Sequence, residues 1–404
     1  MSVSEITLIN DGDKLTKKFI QYWEIEEYCE IYNQSNLASF VGLVVKKNKV
    51  LYSFPKHYEA SFDDLGTMEK ILNLIELSRT SIGSFDKGTN EEFPIKAYLS
   101  IASYYRRYGL FVSKTSKLVD GYGGKIDWKR TLNRSNKVIT KEGIIFFPFK
   151  IKKSYDINVF LSDCMEYILD DADNYKNYIP NILNYKIKTK NRIFENLDLV
   201  LKELNRIKTS YFKDQEKNLI QGIIDYINWK SIANNTVKLL TLNFENYWEN
   251  MINIYLNIKF QKYDNDSNRI IWGENVNLKF QKPPEMYVES EYIRNKYLNE
   301  KHYKIRFDHY SRDDDNIYLF DSKYFSGDIN ELNYKQVFYH YYLKKEFEKI
   351  NIVNGLLLPT SKEYYIKTHI DRTDLDGVKI IEHYINLKRV LNCMFENKRL
   401  LKIN

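Results

Sequence analysis

Apolar positions change period several times along this chain. FVGLVV and VLYSFP are apolar runs around the polar KKNK, the pattern of a β-hairpin. From Thr67 onward Met68, Ile71, Leu72, Leu74 and Ile75 recur at three- and four-residue spacing, which predicts a helix. PIKAYLSIASYYRRYG predicts a second helix, with Gly109 placed to cap it. Residues 111–150 return to strand and turn character, with the glycine turn Asp120–Gly124 and a second hairpin in KVITKEGIIFFPFKI. INVFLSDCMEYILDDA, IFENLDLVLKELNRI and EKNLIQGIIDYINW then carry helical spacing. After Asn234 and Asn235 the order becomes α/β. A helix from about Phe244 to Ile258 is followed by strand-like runs at 303–308 and 316–325 and a helix near 330–348. The apolar strand IVNGLLLP and a last strand and helix complete the chain. Three parts are expected: a mixed β/α part (1–150) for assembly or DNA contact, a largely helical middle (151–235), and an α/β domain (236–404).

Composition narrows the class more than the function. The 404 residues are 43% hydrophobic and 28% charged, as in ordinary globular proteins, so two or three cores are affordable. The wealth of Tyr, Asn, Lys and Ile reads as codon bias. Cys29, Cys164 and Cys393 stand far apart without zinc-ligand spacing, which excludes a disulfide framework and fits a reducing cytoplasm. The polar N-terminus has no basic and apolar leader, and no run is long enough to span a bilayer, so a cytoplasmic protein without membrane association is expected. The net charge of +7 is compatible with a polyanionic partner without requiring one.

KIRFDHYSRDDDNIYLFDSKYF concentrates the candidate chemistry. Alternation along the second strand puts Asp321 and Lys323 on one face and Ser322 on the other. A carboxylate and an ammonium amid Tyr318, Leu319, Phe320, Tyr324 and Phe325 are costly unless they act together or hold an ion. If strands 303–308 and 316–323 form a simple hairpin around SRDDDN, Asp308 and Asp321 lie at opposite ends. A bulge, or a first strand running from Asp308 onward, would bring them together. Both readings stand on sequence alone. The triplet Asp313–Asp315 reads as a solvated turn. His309 should face away from Asp308.

Asp308 followed by Asp321-x-Lys323 resembles the PD-(D/E)xK nuclease signature, with Phe307 where a proline is usual. That resemblance implies Mg²⁺, replaceable by Mn²⁺, on Asp308 and Asp321, with Lys323 orienting or activating water. It also implies a further acid from a preceding helix, Glu249, with Glu245 as the alternative. Gln336 and Tyr339 resemble the QxxY element that follows the catalytic lysine in RecB-like nucleases. Separately, GGKIDWKRT (Gly123–Thr131) resembles a motif of the LlaJI restriction endonucleases, which are similar to McrC, the nuclease partner of the McrB GTPase. The resemblances span residues 110–370. They imply a mixed α/β C-terminal PD-(D/E)xK core behind a β-rich N-terminal part and a helical middle. They imply double-stranded DNA as substrate and a separate McrB-like AAA+ GTPase as partner, since the chain has no GxxxxGK[ST] loop of its own.

Each feature also has a plainer reading. Asp321 and Lys323 suit a surface ion pair, and Glu245 and Glu249 suit the polar face of a helix. Gln336 suits an exposed helix position, and Tyr339, Tyr341 and Tyr342 suit core packing. Lys125, Lys129 and Arg130 suit phosphate or partner contact, or solvated positions around a buried Trp128. The leading expectation is a metal-dependent endodeoxyribonuclease of a restriction system. A non-catalytic DNA-binding or scaffold subunit with a degenerate nuclease fold is the alternative.

Overall fold

The computed structural model describes residues 5–396 apart from 48, 81–85, 87, 124, 159, 187–190, 234–235, 275–277, 282–285, 288–303, 306, 326–333, 348, 373 and 375–376. The chain forms two compact units, one of Met1–Phe93 with Asn234–Asn404 and one of Pro94–Ala233. This partition differs from the three-part expectation. Position 150 falls inside the strand Phe149–Asn158, which pairs antiparallel along its length with Val112–Gly121. Residues 5–93 pack with the C-terminal part, because the strand Val41–Lys46 pairs antiparallel with Thr236–Thr241. Pairing between segments so far apart leaves no local periodicity to read.

In the larger unit, one four-stranded sheet runs in the order Glu5–Asn10, Lys49–Phe54, Val41–Lys46, Thr236–Thr241. Its middle is the expected hairpin, with Val44 opposite Leu51. Gly42 sits where this hairpin meets the returning strand. A Cβ there would lie 2.4 Å from the Leu239 carbonyl oxygen, so only glycine permits that approach. The helix Leu65–Thr80 buries the Met68, Ile71, Leu72, Leu74 and Ile75 face read from the sequence.

The second sheet of this unit has five strands, ordered His309–Arg312, Asn316–Ser322, Asn351–Thr360, Val378–Asn386, Tyr365–Arg372. The inner three are parallel and the two edges antiparallel. A parallel pair needs a crossover, and the helix Tyr334–Glu346 supplies it between the second and third strands. Strands buried on both faces read as unbroken apolar runs, which explains IYLF and GLLLP. The single closing strand expected after IVNGLLLP is a strand pair, followed by the helix Leu387–Glu396.

The smaller unit holds the expected helices Ile95–Tyr108, Phe160–Asp173, Leu197–Lys208 and Asp214–Ile232. Gly109 ends the first with φ 74°, a positive-φ stop that glycine allows, and its N–H reaches the Tyr105 carbonyl. The second predicted hairpin, Asn136–Thr140 with Gly143–Phe147, is also present. Gly124 of the glycine turn lies outside the described residues. No helix among them is long and apolar enough to cross a membrane.

Candidate active site

The five-stranded sheet resolves the placement of the two aspartates. His309 pairs with Phe320 and Arg312 with Ile317, so the first strand begins just after Asp308. The strand expected at 303–308 is therefore displaced: Lys304–Ile305 pairs with Met286–Tyr287, and residues 303 and 306 lie outside the described set. This register continues to place Asp308 across from Asp321, the arrangement that a first strand starting at Asp308 requires. Asp308 Oδ2 accepts the Ser322 N–H at 3.2 Å, which ties the two strand ends together.

Asp321 is 3% exposed, and the Lys323 ammonium lies 2.5 Å from its Oδ2. The two residues share a face, as strand alternation requires. The Lys323 N–H continues the ladder to the Leu357 carbonyl at 3.0 Å. That carbonyl also accepts the Trp248 indole N–H at 3.0 Å, pinning the helix Phe244–Lys259 to the neighbouring strand. One turn of that helix separates its two candidate acids. Glu249 is half-buried and acts on Asp308, whereas Glu245 is exposed and acts on Asp11 and Tyr324. Burial first, then the negative charges of Asp321 and Glu249, push the Asp308 carboxyl up to about 7. Two carboxylates held this close repel each other, and any cation admitted between them relieves that repulsion.

The crossover helix covers the same face. Gln336 is buried, donates from Nε2 to Asn354 Oδ1 at 2.7 Å, and its own carbonyl accepts from Asn354 Nδ2 at 3.1 Å. The expectation of an exposed helix glutamine is thus replaced by a buried amide pair that sets the rotation of the helix. Tyr339 packs edge-on against Phe307 with ring centroids 4.9 Å apart, beside Asp308. Asn354 was missed in the sequence, although a lone amide inside IVNGLLLP was a readable signal. Lys335 was missed as well, and its charge acts on both Asp308 and Asp321.

The plainer readings of Asp313 and His309 hold. Asp313 Oδ1 accepts the N–H groups of Asp315 at 3.0 Å and Asn316 at 2.6 Å, and its Oδ2 accepts the Tyr318 hydroxyl at 2.7 Å, so it builds the turn. His309 is fully buried, with Nε2 2.7 Å from Ser322 Oγ, facing away from the aspartates. In the smaller unit Lys125, Lys129 and Arg130 are exposed. Trp128 corrects the expectation of a buried ring. It is 55% exposed because its helix, Trp128–Arg134, buries Thr131 and turns the indole outward, edge-on to Phe149.

Among the described residues no three His, Cys, Asp or Glu side chains are preassembled into a metal cluster. Two carboxylates nevertheless fit the needs of Mg²⁺, which keeps several waters and takes one or two carboxylates beside substrate phosphate.

A scan of family models matches residues 40–388 to the LlaJI restriction endonuclease. The chain belongs to the LlaJI restriction endonuclease family. The match extends well upstream of the segment that carried the resemblance and includes Asp308, Asp321 and Lys323. No curated protein sequence matches. Among solved structures, the refined half-complex of Thermococcus gammatolerans McrB AAA+ hexamers with bound McrC aligns over 97% of this chain and 99% of that one. Identity is 11% and the TM-score 0.43. The cryo-EM structure of the McrBC complex from the same organism covers 55% of this chain and 79% of that one, at 10% identity and a TM-score of 0.26.

Proposed function

We propose that this restriction endonuclease family member hydrolyses phosphodiester bonds of double-stranded DNA with Mg²⁺, at a PD-(D/E)xK site formed by Asp308, Asp321 and Lys323, with Glu249 completing it. The observation that carries this reading is the placement of Asp308 across from a buried Asp321, with the Lys323 ammonium 2.5 Å from the latter. Asp308 and Asp321 would hold the metal, and Glu249 would reach it directly or through water. The metal, when bound, would polarise the scissile phosphate and acidify a water. Lys323 orients the attacking water and balances charge as it builds on the phosphorane oxygens. Gln336 and Tyr339 hold the covering helix over this face. Mn²⁺ should substitute, since it accepts the same oxygen donors.

An McrB-like AAA+ GTPase is the partner this reading includes. Its support is the GGKIDWKRT resemblance, the lack of a GxxxxGK[ST] loop in the chain, and an apolar hairpin in the smaller unit. Val138, Ile139, Ile144, Ile145 and Phe147 are all exposed on its two strands. Apolar side chains clustered in water mark a contact surface.

The test is nicking of supercoiled plasmid by the purified chain with Mg²⁺ or Mn²⁺, alone and with the candidate GTPase and GTP, beside Lys323→Ala. Metal-dependent nicking by the wild type and none by the variant is expected. Equal nicking by both would place the activity elsewhere. Silence of the wild type under every condition would favour the non-catalytic scaffold.

A further inference from the structure

The three inner strands of the five-stranded sheet run parallel, so their carboxyl ends lie together at one end of the sheet, the place where open α/β sheets bind ligands. Asp321 and Lys323 stand at the first of these ends, Ser361 follows the second and Asn386 closes the third. A turn from the other sheet is fastened there. Residues 55–58 follow the strand Lys49–Phe54, and the Tyr58 N–H closes on the Pro55 carbonyl at 3.2 Å. The Lys56 N–H donates to the Tyr324 hydroxyl oxygen at 2.9 Å, and the His57 ring meets the Phe325 carbonyl. The His57 carbonyl accepts the Ser361 N–H at 3.0 Å, and Asn386 Nδ2 donates to the Ser361 carbonyl at 2.9 Å. These contacts hold His57 at φ 64°, a left-handed conformation uncommon for residues other than glycine. They set Lys56 against the residue that follows Lys323.

We infer that Lys56 is a DNA phosphate contact beside the nuclease site, supplied to it by the N-terminal sheet. The inference rests on the nuclease reading above. The Lys56 side chain is 24% exposed, and its ammonium stays 3.8 Å from Asp11 Oδ2 and 5.0 Å from the centroid of the Tyr324 ring. A lysine dedicated to Asp11 would close to about 2.7–2.9 Å. Burial pushes the Asp11 carboxyl up to about 6 even with Lys56 at this distance, and the charges of Glu245 and Glu30 add to the rise. The ammonium is thus oriented by the Tyr324 ring without being tied up in a close ion pair. Duplex DNA carries one negative charge per about 1.7 Å of its axis, so a duplex laid on Lys323 presents further phosphates to the next cation along the sheet ends.

The experiment is fluorescence anisotropy of a labelled DNA duplex with the full chain in EDTA, across a salt series, for wild type, Lys56→Ala, Lys56→Arg and Lys345→Ala. Lys56→Ala should bind about 3- to 10-fold more weakly at low salt and reduce the slope of log K against log salt by about 0.9, the share of one phosphate. Lys56→Arg keeps the charge and should stay close to wild type. Lys345 is exposed in the last turn of the helix Tyr334–Glu346, which leads to the amino end of the strand Asn351–Thr360, and its loss should leave the slope unchanged. Because Lys56→Ala deprives the Asp11 carboxyl of its neighbouring cation, Asp11→Asn is added to it as a further variant. The double variant should regain thermal midpoint and still bind DNA as weakly as Lys56→Ala. Affinity restored together with the midpoint overturns the contact and makes Lys56 a support for Asp11. Unchanged affinity and slope in Lys56→Ala, or an equal loss in Lys345→Ala, also overturns it and leaves the nuclease reading standing. A wild type that binds no duplex, alone or with the candidate GTPase and GTP, overturns both.

Discussion

The larger unit treats two carboxylate pairs in opposite ways, the buried Asp86 with Glu92 and the half-buried Asp308 with the buried Asp321. Asp86 and Glu92 surround the buried guanidinium of Arg79, with contacts of 3.3 and 2.6 Å. Tyr247 donates to Asp86 at 2.6 Å, and the N–H groups of Gly88 and Thr89 close on Asp86 and Glu92 at 3.0 Å each. A rigid, permanently charged fork and fixed dipoles balance that pair. Among the described residues, Asp308 accepts instead one backbone N–H, from Ser322, and Asp321 is met by the Lys323 ammonium on its flexible stem. The first arrangement leaves no use for a further cation, whereas the second creates demand for one. Buried charge is a candidate functional site when its neutralisation is left to something that can move.

The largest expected effects separate the two pairs outright. Arg79→Met strands two buried carboxylates and should cost about 3–5 kcal/mol, read as a large fall in the thermal or denaturant midpoint. Tyr247 lies on the helix that bears Glu249, so this variant should also lose cleavage. Asp321→Asn should lower cleavage by about 10³-fold or more while leaving the midpoint equal to or above wild type, because it removes repulsion. A midpoint that drops as far as in Arg79→Met would erase the distinction.

A pH series sharpens it. The Asp308 carboxyl is raised to about 7 in the folded chain, above its unfolded value. Its contribution to stability is therefore fully present below the unfolded value and lost as pH rises through 7. Asp308→Asn, which mimics the protonated form, should exceed wild type at pH 8 in EDTA by on the order of 2 kcal/mol, and the gap should close toward pH 5. A gap independent of pH would refute the titration. Gln336→Ala leaves Asn354 buried without its side-chain partner and should cost about 1–3 kcal/mol. A cost near zero would mean that the amide pair does not set the helix. The smallest effect is expected far from either pair. Ile139 is 81% exposed, so Ile139→Ser should shift the midpoint by less than about 0.5 kcal/mol and leave Mn²⁺ binding untouched. It should weaken binding to the GTPase, and unchanged affinity would remove the hairpin from the partner surface.

The residues of the candidate site were legible because their chemistry is local. Alternation put Asp321 and Lys323 on one face, and helical spacing placed Glu249, Gln336 and Tyr339 on helices before and after the strands. Hairpins and helix stops followed from turn chemistry, as Gly109 illustrates. What the sequence left open needed neighbours from elsewhere in the chain. The strand register decided that Asp308 meets Asp321, since the alternatives differ only in pairing. Packing separated Glu249 from Glu245 and buried Gln336 against Asn354. The union of residues 5–93 with the C-terminal part arose from long-range pairing, which depends on partners 190 to 200 positions away and so leaves no periodic trace. Local pattern determined which side chains could act. Tertiary structure decided which carboxylates share a site, because mutual burial and charge are properties of the pair.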